Sequence, residues 1–96
     1  MLSPEEQLLT DFFEASRVYD TSVMARLSSV PLNPRTEGIV DAFDVLHVDR
    51  DDADNERVTV NARVRRFDGQ ISSRQFVFAM TRRDGRLFIE EWKGTQ

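Results

Sequence analysis

The 96-residue chain has no cysteine and a single histidine. The first absence excludes a disulfide framework and every thiolate metal site, and leaves the redox compartment open. The second leaves His47 as the sole imidazole. There are four glycines and three prolines, and none of them builds a phosphate loop, a dinucleotide fingerprint or a nucleophile elbow. No cofactor is therefore expected. No apolar run approaches the roughly 20 residues that cross a bilayer, so no membrane span is expected in this chain. A helix-start signal at Ser3 takes the place of a signal peptide. The expected compartment is cytoplasmic if Met1 is native, and cell-envelope or extracellular if the segment was trimmed from a larger protein.

What is present suits one domain over residues 1–96, with one modest core: 40% of residues are hydrophobic and 31% charged. The net charge of −4 argues against general nucleic-acid binding. Charge is unevenly distributed. Residues 1–56 hold 4 basic and 13 acidic groups, whereas residues 57–96 hold 9 basic and 4 acidic groups. Two halves of opposite sign are expected to pack together and partly neutralise one another.

Ser3, Pro4 and Glu6 form an N-cap, a first-turn proline and a capping box. Leu8, Leu9, Phe12, Phe13, Ala15, Ser16 and Tyr19 follow on one side at helical spacing, opposite Asp11, Glu14 and Arg17. This is an amphipathic helix lying on a core. Asp20 and Thr21 break it and start a second, shorter helix with Val23, Met24 and Leu27 on its buried side. Pro31 and Pro34 end that helix, and residues 31–38 read as a loop.

From Ile39 the period changes to two, giving four strands at about 39–49, 56–66, 71–82 and 86–93. The first strand changes parity between Val45 and Leu46, which calls for a bulge there. The segment DRDDAD from Asp49 lacks the glycine and distal glutamate of an EF-hand loop, so it reads as a solvated hairpin turn and no metal is expected.

Turn length decides which face is inside. Two-residue Asp-Gly turns would set Phe76 beside Asn61. Three-residue loops, Phe67-Asp68-Gly69 and Arg83-Asp84-Gly85, set Val58 opposite Phe78, Val60 opposite Phe76, Phe76 opposite Trp92 and Met80 opposite Phe88. The second arrangement gathers Val58, Val60, Ala62, Val64, Phe76, Phe78, Met80, Phe88 and Trp92 on one face. Burying each such side chain is worth roughly 1.5–3 kcal/mol, so this register is expected. It turns Glu90 inward. It leaves an outer face carrying Thr59, Val77, Ala79, Leu87 and Ile89, which is apolar enough to suggest a homodimer through the sheet.

The segments LLTDFFEASRVYDTSVMARLSS and VTVNARVRRFDGQISSRQFVFAMTRRDGRLFIEEW together resemble the nuclear transport factor 2-like superfamily, the cystatin-like α+β fold shared with ketosteroid isomerase and polyketide cyclases. The resemblance covers nearly the whole chain as a pattern of elements. It implies two N-terminal helices on the concave face of a curved four-stranded antiparallel sheet, in the order α-α-β-β-β-β. It also implies a pocket at the open end and dimerisation through the sheet. The loop 31–38 leaves no room for the usual third helix, as in the family's short members.

Two functional expectations follow. One is a non-enzymatic domain that self-associates and binds a small apolar molecule between the first helix and the sheet, with Phe12, Tyr19, Phe78, Glu90 and Trp92 lining the site. The other, by analogy of fold, is an isomerase, cyclase or hydratase with Glu90 or His47 as base and Tyr19 as electrophile, which requires the three to share one cavity.

Overall fold

The computed structural model describes residues 2–94; Met1, on which the expected compartment turns, lies outside them. Helix α1 spans Pro4–Arg17 and α2 spans Thr21–Leu27. A single turn, α3, spans Pro34–Glu37. Four strands follow: β1 Ile39–Arg50, β2 Asn55–Arg65, β3 Ile71–Arg83 and β4 Arg86–Gly94. They form one antiparallel sheet in the order β1-β2-β3-β4, with α1 and α2 packed on one face. The architecture is the expected α+β arrangement with one addition. The loop at 31–38 contains a turn of helix, because Asn33 caps it through Arg35 N–H (2.9 Å) and Pro34 sits where a proline is tolerated.

The capping box of α1 forms as the sequence requires: Glu6 N–H donates to Ser3 Oγ (3.2 Å) and Ser3 N–H to Glu6 Oε1 (3.1 Å). The helix ends in a Schellman motif. Tyr19 N–H donates to the Ser16 carbonyl (3.0 Å) and Asp20 N–H to the Ala15 carbonyl (2.8 Å). Tyr19 sits in the left-handed region (φ 51°) that this motif demands. Asp20 then caps α2 by accepting from Val23 N–H (3.2 Å).

The β2–β3 hairpin has the expected three-residue loop. Gly69 is left-handed (φ 90°), and Val58 and Val60 oppose Phe78 and Phe76. The β3–β4 hairpin differs from the expectation. Asp84 (φ 52°) and Gly85 (φ 79°) make a two-residue turn with Arg83 opposite Arg86, so Met80 opposes Ile89, not Phe88. A bulge then inserts Glu90 as an unpaired extra residue, and Trp92 opposes Phe78, not Phe76. The reason lies in the order L-F-I-E-E-W. A uniform strand must bury either Ile89 or Trp92 and turn the other out. The bulge brings both to the core face and sends the carboxylate to water. Ile89 is fully buried and Glu90 is exposed.

In β1 the expected bulge is present, with Leu46 unpaired, and a second one sits at Asp41. Across the sheet the two oppositely charged halves do meet. Arg65 pairs with Asp41 (3.0 Å), Arg74 with Glu37 (2.8 Å), and Arg57 with Asp49 (3.6 Å) and Asp51 (3.3 Å). Arg65 holds the Asp41 carboxyl below its usual range, chiefly by hydrogen bonding. Such surface pairs contribute little stability each. They do explain where much of the sequence's charge asymmetry goes.

The interior between α1 and the sheet is solid. Phe12 and Phe78 meet edge-on at 6.2 Å, Phe13 and Phe78 at 5.9 Å, Phe13 and Phe43 at 5.2 Å, and Phe76 and Trp92 at 5.8 Å. Trp92 Nε1 donates to the Val30 carbonyl (3.3 Å), and Ser29 N–H to the Ile89 carbonyl (2.9 Å). The segment after α2 is thus stapled over the edge of β4, which shields that edge from further strand pairing.

Candidate functional site

The residues expected to line a ligand site do not make one. Phe12 and Phe78 are fully buried in the packed aromatic cluster, which fills the space a ligand would need. Trp92 is half-buried and engaged with Val30. Tyr19, expected on the inner side of α1, is displaced to the surface by its place in the Schellman turn. Glu90, expected inward, lies beside Ala79 and Arg57 on the outer face. His47 is exposed on β1 opposite Thr59. Glu90, Tyr19 and His47 therefore share no cavity, and the acid–base constellation drawn from the fold analogy does not assemble.

The surface expected to self-associate also changes. Leu87 and Ile89 turn to the core face, where Ile89 is fully buried and Leu87 packs against the core. Phe88 has the opposite parity and lines the recess between the hairpin and the helices, with the Arg83 guanidinium 4.1 Å from its ring centroid. Thr59, Val77 and Ala79 remain outside, half-buried among charged neighbours.

The recess the fold does provide is an open cleft of about 840 Å³ between the C-terminal half of α1, α2 and the β3–β4 hairpin. The register places it. Because Asp84-Gly85 is a tight turn, Leu87 points inward beside it and lines the cleft together with Val23 and Leu27 of α2. Ala15 and Val18 of α1 complete an apolar floor. The rim is charged: three acids, Asp11, Glu14 and Asp20, and three arginines, Arg26, Arg83 and Arg86, line it. Asp11 accepts from Gln7 Nε2 (3.0 Å) and Asp20 is committed to its cap, so two of the three acids have local partners. Among the described residues neither Arg26 nor Arg86 forms an ion pair. An apolar floor with unpaired guanidinium groups at its rim suits a ligand with an apolar body and an anionic end.

A second unusual group is a buried carboxyl pair at the opposite end of α1. Glu5 is 6% exposed and Glu56 is 4% exposed. The two carboxyls lie within reach of one another, and Oε2 of each is buried with no hydrogen-bond partner. Burial pushes the Glu56 carboxyl up to about 7, and the hydrogen bond to Glu5 and its charge add to this against Arg50 and Arg82. The sequence carries the signal for both. Glu56 has the same parity as Val58 and Val60, and Glu5 lies three, four and seven residues before Leu8, Leu9 and Phe12. The acidic DRDDAD loop, by contrast, closes on itself: Asp52 accepts from Asp54 N–H (2.8 Å) and Asn55 N–H (3.0 Å).

No family model matches the chain, and no curated protein matches it. Among solved structures, it is similar to the solution structure of a SEC-C motif containing protein from Rhodopseudomonas palustris. The two share 18% identity with a TM-score of 0.72, over 95% of this chain and 78% of that one. At that identity the likeness establishes a shared fold.

Proposed function

We propose that this domain is a non-enzymatic binding module that takes a small amphipathic anion in the cleft between α1, α2 and the β3–β4 hairpin. One observation carries the reading: an open recess of about 840 Å³ whose floor is apolar and whose rim holds Arg26, Arg83 and Arg86. The size falls within the roughly 300–1,000 Å³ usual for small-molecule sites. The resemblance to nuclear transport factor 2-like domains, with a pocket at the open end of the helix–sheet sandwich, supports the same reading. Self-association through the outer sheet face is not part of the proposal, because Leu87 and Ile89 are committed to the core.

An aromatic sulfonate dye such as 8-anilinonaphthalene-1-sulfonate has the required chemistry and reports binding by fluorescence. We expect saturable one-to-one binding to the folded protein. Arg86 is exposed, so Arg86→Glu leaves the fold intact. It is expected to weaken binding by about tenfold or more, since a charge-assisted hydrogen bond contributes roughly 1.5–3 kcal/mol. Non-saturable binding, or equal affinity in the variant, would remove the cleft from consideration.

A further inference from the structure

We propose that Glu5 and Glu56 form a proton-held latch: one proton shared by the two carboxyls docks the first turn of α1 on the end of the sheet, and its loss releases that turn. The geometry carries this. Two carboxyls from different elements lie within reach of one another, each more than nine-tenths buried. Each keeps one buried oxygen with no hydrogen-bond partner. Two carboxylates cannot hydrogen-bond to each other, so contact between them requires a proton. Two buried negative charges side by side would repel with little solvent to screen them.

The surrounding charges do not supply an alternative partner. From β1, Arg50 Nη1 lies 3.9 Å from Glu56 Oε1, beyond hydrogen-bonding distance, with its own side chain 60% exposed. From β3, Arg82 acts on Glu56 only through its charge. The depression beside Glu56 is ringed by Asp51 and Asp52 from the β1–β2 turn, Arg57 from β2 and Glu90 from β4, so three of its four charged neighbours add negative potential. From α1 itself, Glu6 is committed to the capping box. Glu5 lies in the helix's first turn, where the free amides favour negative charge, so the proton resides on Glu56 and is donated to Glu5.

When that proton passes to solvent, the cheapest relief is for the first turn to lift away. It is the end of the helix, held by the pair and by Leu8, whereas Leu9, Phe12 and Phe13 anchor the rest. Wild-type protein is enough for the test. Carbon-13 NMR of the carboxyls across pH 3 to 9 should show Glu56 titrating near neutrality. Hydrogen exchange should show protection factors at Leu8 to Phe12 falling between about pH 5 and 7, at up to about tenfold per pH unit, then levelling. They should stay below those of β2 and β3 throughout. Glu56→Gln, or Glu5→Gln if the first variant folds poorly, should abolish the slope. The latch is overturned if the Glu56 carboxyl titrates below pH 5. It is also overturned if the α1 amides hold constant protection while those of the strands decline.

Discussion

Glu56→Gln is expected to raise the melting temperature by about 10 °C at pH 8 and to change it little at pH 4.5. The sign follows from which state holds the proton. The folded-state pKa of Glu56 is raised from 4.5 to about 7, so between these values the native chain keeps a proton that the unfolded chain has released. Stability is therefore fully present below about pH 4.5, falls as pH rises toward 7, and is flat above. A shift of that size corresponds to roughly 3 kcal/mol of stability lost from the acid plateau to the alkaline one. Glutamine offers an amide N–H donor in place of the carboxyl O–H and has no ionisable proton, so the variant avoids most of that loss. For a domain of this length 1 kcal/mol is about 4–8 °C, and a net gain of about 2 kcal/mol gives the expected shift. Thermal unfolding by circular dichroism at the two pH values checks it. Equal melting temperatures for both proteins at pH 8 would mean that the pair is solvated in solution.

Phe78→Ala is expected to destabilise the fold by about 3–5 kcal/mol, the range for truncating a phenylalanine in a packed core. Phe78 is fully buried, and its ring meets Phe12, Phe13 and Phe76 within 6.2 Å. The removed ring leaves a void that three neighbouring rings on two elements cannot close without moving α1. Domains of this size are stable by only about 5–15 kcal/mol, so the variant should unfold at much lower urea concentration. A loss below about 1 kcal/mol would mean that the space under α1 is loosely filled. Such a result would return that space to the list of ligand sites and weaken the case for the peripheral cleft.

Much of the architecture can be read from the residues, because local and long-range signals agree. Ser3, Pro4 and Glu6 begin α1, and its Leu-Leu-Phe-Phe stripe requires a partner face. The parity of Val58, Val60, Phe76 and Phe78 supplies that face, and Gly69 permits the turn that aligns them. The last strand is ambiguous for a physical reason. Leu87 and Ile89 have one parity and Phe88 and Trp92 the other, so no regular strand buries both sets. Preferring uniform spacing leads to an inward Glu90. The chain instead bulges at that carboxylate, which spares it desolvation and keeps Ile89 inside. Tyr19 misleads in a similar way: its spacing fits the helix, but the backbone has already turned left-handed. The cleft was hidden because it depends on how α2 sits against a hairpin whose inward residue, Leu87, is fixed by the two-residue Asp84-Gly85 turn. Glu5 and Glu56 were legible in principle, since each shares a side with core residues. Reading a glutamate in a first helical turn as dipole compensation alone obscures this.

The facing of β4 underlies the filled interior, the outward Glu90 and the floor of the cleft alike. Cross-strand nuclear Overhauser effects measure it directly. Contacts linking Met80 with Ile89 and Phe78 with Trp92 are expected, with Glu90 showing no partner on β3. Backbone Hα–Hα contacts of Met80 with Phe88 and of Phe76 with Trp92 in their place would put Glu90 in the core and contradict the account; the rings of Phe76 and Trp92, 5.8 Å apart, touch in either case.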